Sequence, residues 1–189
     1  MGRLILVRHA APEIQPGVSS DRWVLSPPGR ESCRWLVAEL RGQNVQRLYA
    51  SLEPKALETA ALTAAELGLG VRPRRDLHEN DRTGLGFGPF TEMEQRMRRF
   101  FDEPDVLVVG RETAAAAHGR FDAAVRAIAD ESAGEVVAVV AHGAVITLLL
   151  AGRRGGEPFA LWKQLALPCW ALLEGPDLRW DGVLHRPPA

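Results

Sequence analysis

Two stretches of unbroken aliphatic residues organise the chain, Leu4-Ile5-Leu6-Val7 and Val136-Val137-Ala138-Val139-Val140-Ala141. A short run that is apolar at every position predicts a strand buried on both faces, as in the interior of a parallel sheet. Polar chemistry follows each run at once, Arg8-His9 after the first and His142 after the second. Beyond Gly143, the apolar residues from Ala144 to Ala151 predict a buried helix that stops at Gly152. Both histidines therefore share one structural address, the carboxyl end of a buried strand, where open α/β sheets keep their ligand crevices.

Periodicity supplies the remaining elements. Ser26-Pro27 is a helix start, with serine as cap and proline at the first position. Cys33, Leu36, Val37 and Leu40 then form one apolar face ending near Gly42. A short strand is predicted over 45–50. A helix opens at Ser51-Leu52-Glu53-Pro54, packs through Leu57, Ala60, Ala61 and Ala64, and stops at Gly68. Val71-Arg72-Pro73 reads as a short strand. Residues 76–89, with Asp76, His78, Glu79, Asp81, Gly84, Gly86, Gly88 and Pro89, read as a loop that either carries chemistry or is a solvated acidic turn. Thr91-Glu92-Met93-Glu94 is a capping box, and Met93, Met97, Phe100 and Phe101 make a core stripe. The arginines at 96, 98 and 99 fall on other, solvated faces. A long helix is predicted over 113–132, a short one from Glu157-Pro158 to Gln164, and closing strands at 169–173 and 178–183 around Gly175-Pro176-Asp177. Strands alternating with helices predict an α/β three-layer sandwich, in a single domain spanning 1–189.

Composition narrows the class. The 189 residues are 46% hydrophobic and 25% charged, with a net charge of -1. That is the balance of a soluble globular protein, and it gives no broad attraction to nucleic acid or to an anionic membrane. The two cysteines, Cys33 and Cys169, lack metal spacing and read as buried thiols in a reducing, cytoplasmic compartment. No secretory signal is recognised at the start. The apolar stretch 136–152 falls short of a membrane span and is broken by His142-Gly143. The tryptophans leave room for an apolar contact, so monomer and homodimer both stay open.

Arg8, His9, Lys55, Glu79 and His142 are the candidates for chemistry. A guanidinium at the floor of a crevice invites phosphate or carboxylate. Lys55 stands at a helix amino end, where a cation is unfavourable unless an anion lies between it and the free amides; the plain alternative is a solvated lysine. Several cations, a nucleophile and a carboxylic acid suit phosphoryl transfer, which is mostly positioning and charge neutralisation. A histidine can carry the phosphoryl group covalently. Metal binding is the competing use of two histidines. Arg8 beside His9 and the lack of a third ligand speak against it, so neither metal nor cofactor is expected.

In order along the chain, LVRHA, LSPPGRE, YASLEPKALETA, LHE and VVAHGAVI resemble the conserved segments of the histidine phosphatases, the phosphoglycerate mutase-like superfamily. The resemblance runs from residue 4 to about residue 150. It implies that family's three-layer fold with a mostly parallel central sheet, and hydrolysis of a small phosphorylated molecule. It also implies that His9 becomes phosphohistidine, that Arg8, Lys55 and His142 bind the transferred phosphate, and that Glu79 protonates the leaving oxygen. Asp76 and Asp81 are rivals for the acid. The cycle needs a neutral His9, which neighbouring Arg8 favours, and a protonated Glu79, which partial burial would favour. Lys55 replaces the family's usual arginine, Ala10 its glycine, and Ala11-Pro12 its Glu-Thr. Lys55 and Ala10 leave open a phosphate-binding or regulatory module without useful catalysis, and the small size of the chain allows a phosphatase of protein phosphohistidine. Specificity is expected from the loops 10–25 and 76–90 and from the arginines near 72–75 and 96–99.

Overall fold

The two aliphatic runs are neighbouring strands at the centre of a six-stranded sheet, in a computed structural model that describes residues 2–82 and 90–188 and, of Phe90, the backbone alone. The strands are β1 (Arg3–Arg8), β2 (Arg47–Ser51), β3 (Val71–Arg74), β4 (Val136–Ala141), β5 (Cys169–Glu174) and β6 (Arg179–Trp180), in spatial order β3-β2-β4-β1-β5-β6. The first four run parallel; β5 is antiparallel to β1 and β6 to β5. The helices among the described residues are α1 (Pro27–Gly42), α2 (Pro54–Leu67), α3 (Phe90–Asp102), α4 (Ala114–Glu131), α5 (Gly143–Arg154) and α6 (Pro158–Gln164).

Alternation along the central strands divides the core. Ile5, Val7, Leu48, Ala50, Ala138 and Val140 face α1 and α2, packing on Leu36, Leu40, Ala56, Ala60 and Ala64. Leu4, Leu6, Tyr49, Val137 and Val139 face the other way, onto Met97, Phe100, Phe121, Val125, Val145 and Leu149. Both sides of β1 and β4 are thus covered, which explains why those strands read as continuous apolar runs. The three-layer α/β/α sandwich and the mostly parallel sheet are as expected. No helix among the described residues is long and apolar enough to cross a membrane.

Several boundaries differ from the sequence reading. Helix α5 runs through Gly152 to Arg154 and is capped by Gly155 at φ 80°. The buried face of α2 is Ala56, Thr59, Ala60, Thr63 and Ala64, while Ala61 is exposed and Leu57 only half-buried. Its threonines satisfy themselves by donating to carbonyls one turn back, 2.7 and 2.8 Å away, and so hide among the alanines. Helix α3 starts at Phe90, one residue before the expected capping threonine. Leu178 sits in a turn at φ 50° rather than in a strand. Arg98 is exposed as expected, with its guanidinium over the Phe159 ring at 4.1 Å. Gly84, Gly86, Gly88 and Pro89 lie outside the described residues.

Candidate active site

Sheet register brings the two histidines together. In the parallel β1–β4 pair, Arg8 faces Ala141, so the next residue on each strand is a histidine. The His9 amide continues the ladder by donating to the Ala141 carbonyl at 3.0 Å, and the imidazole centroids are 5.2 Å apart. On the other side of β4, Ala50 faces Val140. That places Ser51 beside His142, with 2.8 Å between Oγ and Nε2. Helices α2 and α5 both begin at this edge of the sheet, so their positive dipole ends point at the same place.

The His9 tautomer follows from its partner. His9 Nδ1 donates to the Ala10 carbonyl at 2.8 Å, which leaves the lone pair on Nε2. Burial, then His142, Lys55 and Arg8, hold His9 well below the usual imidazole range, so it is neutral at neutral pH. Burial is the main cause; Arg8, on which the sequence reading leaned, contributes less. The same main cause, with Lys55 next, keeps His142 neutral. Ser51 Oγ accepts the Glu53 amide at 3.3 Å and lies 2.8 Å from His142 Nε2. Among the described residues, His142 Nδ1 and Arg8 Nε are buried without a hydrogen-bond partner. Arg8 is anchored at its far end on the Leu165 carbonyl. A Cβ on Gly143 would come 3.1 Å from Arg8 Nε, so glycine there makes room for the guanidinium.

Lys55 is not solvated. Only 5% exposed, it is clasped by the Glu53 carboxylate and donates to the Ser20 carbonyl at 2.7 Å. Glu53 is the residue that sequence reasoning missed. Its other oxygen accepts the Glu79 amide at 2.8 Å and lies 3.4 Å from His142 Nε2. The signal was present in Glu53-Pro54-Lys55, a carboxylate immediately before a helix whose first turn carries a misplaced cation. Thr59 was missed as well. Its Oγ1 accepts the Ala10 amide at 3.0 Å, tying the segment after His9 to α2.

Glu79 caps α5 from outside the helix. Its two oxygens accept the amides of Ala144 and Val145 at 3.0 and 3.2 Å, and Arg82 lies 3.5 Å away. Each of these contacts is to a donor. The backbone around it is gripped by Arg120 of α4, which donates to the carbonyls of Asp76, His78 and Glu79 at 2.8, 3.0 and 3.3 Å and is itself fixed by Glu112. Asp76 is exposed, and Asp81 lines a neighbouring depression.

These groups surround a cavity of about 350 Å³. Arg8, His9, Lys55, Glu79 and Gly143 line it, and His142 is fully buried behind His9. Its remaining walls are mainly apolar, with Pro12, Ile14, Trp23, Met93, Trp162 and Leu167. The Trp23 N–H is spent on the Val18 carbonyl at 3.0 Å. The loop 10–25 thus lines the cavity as expected. Arg72 and Arg74 do not, since both lie over the Tyr49 ring, at 5.9 and 5.5 Å.

Residues 4–184 match the family model described as histidine phosphatase superfamily (branch 1). Phosphoglycerate mutase-like protein 4 of Arabidopsis thaliana is 29% identical over 160 residues, covering 77% of this chain and 68% of that protein. Among solved structures, Bacillus stearothermophilus YhfR superposes with a TM-score of 0.77 at 22% identity, covering 96% of this chain and 95% of that one. The mycobacterial glucosyl-3-phosphoglycerate phosphatase gives 0.76 at 19% identity, with 95% of both chains covered. An Entamoeba histolytica phosphoserine phosphatase gives 0.76 at 21% identity, with 97% and 95% covered. At these identities the likeness to solved structures is one of fold.

Proposed function

Because the chain belongs to the histidine phosphatase superfamily, we propose that it is a metal-independent phosphomonoester hydrolase that works through phospho-His9. The observation that carries this reading is the pair of buried nitrogens without partners among the described residues, Arg8 Nε and His142 Nδ1, beside a neutral imidazole with its lone pair on Nε2. A buried donor without a partner is costly, and an oxyanion at the cavity floor relieves Arg8 Nε.

His9 Nε2 attacks phosphorus, the ester P–O bond breaks, and Glu79 delivers a proton to the departing alkoxide. Water then attacks phosphorus and gives its proton to Glu79. The P–N bond breaks, and inorganic phosphate leaves with His9 neutral again. Arg8 and Lys55 neutralise the equatorial oxygens, the task a metal performs in other phosphoryl transfers. The apolar walls make an aryl phosphate the natural first substrate.

Turnover of an aryl phosphate in excess EDTA, compared between the parent protein and His9→Ala, tests the proposal. The expected result is activity that survives the chelator and drops by at least about 10³-fold in the variant. Retained turnover in His9→Ala overturns it. The hold of Glu53 on Lys55 favours a second reading, a phosphate-binding module without useful turnover. Acid-labile, alkali-stable labelling by a radioactive phosphodonor separates the two: a label lost in His9→Ala supports the hydrolase, and its absence supports the module.

A further inference from the structure

Arg8 from β1 and Lys55 from α2 bring two cations to the cavity, and Arg82, which also lines it, is faced by Glu79 at 3.5 Å. Glu53, with a side-chain exposure of 11%, is bonded to Lys55 and lies 3.4 Å from His142 Nε2. It lines the adjoining depression and so sets an internal anion against Lys55, one of the cations that is to neutralise a phosphate. We propose that Glu53 is a specificity-determining residue that makes this a site for one net negative charge, so that a phosphoester is taken with one proton. The inference rests on the reading of this cavity as a phosphate site and adds which charge form it accepts.

The count of charges supports it. Arg8 and Lys55 supply two positive charges and Glu53 removes one. The acid Glu79, from the segment after β3, faces Arg82 at 3.5 Å and offsets it in the resting site, before Glu79 takes up the proton that it delivers in catalysis. His9 and His142, at the ends of β1 and β4, are neutral. The other charged or titratable groups beside Glu53 are Asp21 of the 3-10 turn Ser20–Arg22, Arg75 of the 3-10 turn Arg75–Leu77, and His78 and Asp81 of the segment that carries Glu79; with Glu53 itself they line the adjoining depression. A dianion entering this site would put three negative charges, two of its own and one of Glu53, against Arg8 and Lys55. One proton, on the guest or shared with Glu53, removes the mismatch. A phosphoester exchanges its second proton near pH 6, so above neutrality that proton must be taken from solvent.

The test is proton uptake on binding inorganic phosphate, read by titration calorimetry at about pH 8 in two buffers of different ionisation enthalpy. The parent protein is expected to take up close to one proton per phosphate, and Glu53→Gln close to none. The amide keeps an oxygen for the Glu79 amide, so the fold is retained. Glu53→Met, which removes that acceptor too, checks that loss of charge and not of the hydrogen bond is responsible, and it is also expected to abolish uptake. Phosphate affinity at this pH is expected to rise at least tenfold in Glu53→Gln. Equal uptake in parent and Glu53→Gln assigns the proton to Glu79 and overturns the inference, as does uptake of none by the parent. Absence of phosphate binding in parent and variants alike counts instead against the cavity as a phosphate site.

Discussion

Glu79 shows what one residue's surroundings demand of it. Its oxygens are satisfied by amides at the start of α5, so the resting position is set by the helix and the catalytic proton has to be held against that cap. Glu79→Gln keeps the shape but puts donor hydrogens against donor amides and removes the acid. For an alkyl phosphate, kcat/KM is expected to fall by about 10²–10⁴-fold, the usual contribution of a positioned acid. For a nitrophenyl phosphate, whose leaving group needs no proton, the loss is expected to be much smaller. Equal losses on both substrates would take the acid role from Glu79. At this scale the sequence was legible where an address is fixed by a strand: Arg8, His9 and His142 follow uninterrupted aliphatic runs. It was illegible for Glu53 and Lys55, because their mutual burial depends on Ser20 and Glu79 arriving from elsewhere in the chain.

Elements place the acid as firmly as its own contacts do. The segment carrying Glu79 hangs between β3 and the next helix, and Arg120 on α4 takes three of its carbonyls. Arg120 does not line the cavity, so it is a positioning residue. Arg120→Ala leaves those carbonyls and Glu112 without their donor, and a stability loss of about 1–3 kcal/mol is expected. Aryl phosphatase kcat is expected to fall by about 10–100-fold through misplacement of Glu79, while inorganic phosphate inhibits within a few-fold of the parent because Arg8 and Lys55 are untouched. Inhibition weakened as much as kcat would mean that Arg120 supports the whole cavity. Helix α1 shows the same dependence on fit, since a Cβ on Gly29 would meet the Ala11 carbonyl oxygen at 2.1 Å. Existence and type of elements were legible because periodicity reports burial. Ends and faces were less so. Gly152 continues α5 because helix dihedrals suit glycine wherever packing holds the turn, and α2 buries threonines whose hydroxyls are satisfied within the helix.

For the molecule as a whole, the two central strands that organise the sheet also bury two imidazoles at their ends, and folding must keep them uncharged. In the unfolded chain each histidine takes a proton near 6.5; in the folded protein burial holds both well below that value. Below 6.5 the unfolded state therefore binds more protons than the folded one, and stability falls as pH falls through this window, while above it these groups have no effect. The slope is at most about 1.4 kcal/mol per pH unit for each histidine. Glu131, whose folded value is lowered by Tyr49 and Arg74, also loses its contribution on acidification, but only below its ordinary 4.5. The windows are separate, so urea unfolding at about pH 7.5 and about pH 5.5 isolates the histidines, with a loss of about 1–3 kcal/mol expected. His142→Asn is expected to remove about half of that loss, since one buried imidazole remains. A pH-independent stability across this interval would mean that both rings take up protons in the folded protein as they do in the unfolded chain. His9 would then lack the lone pair on which nucleophilic attack depends, so this measurement, made without any substrate, bears on the chemistry as directly as turnover does.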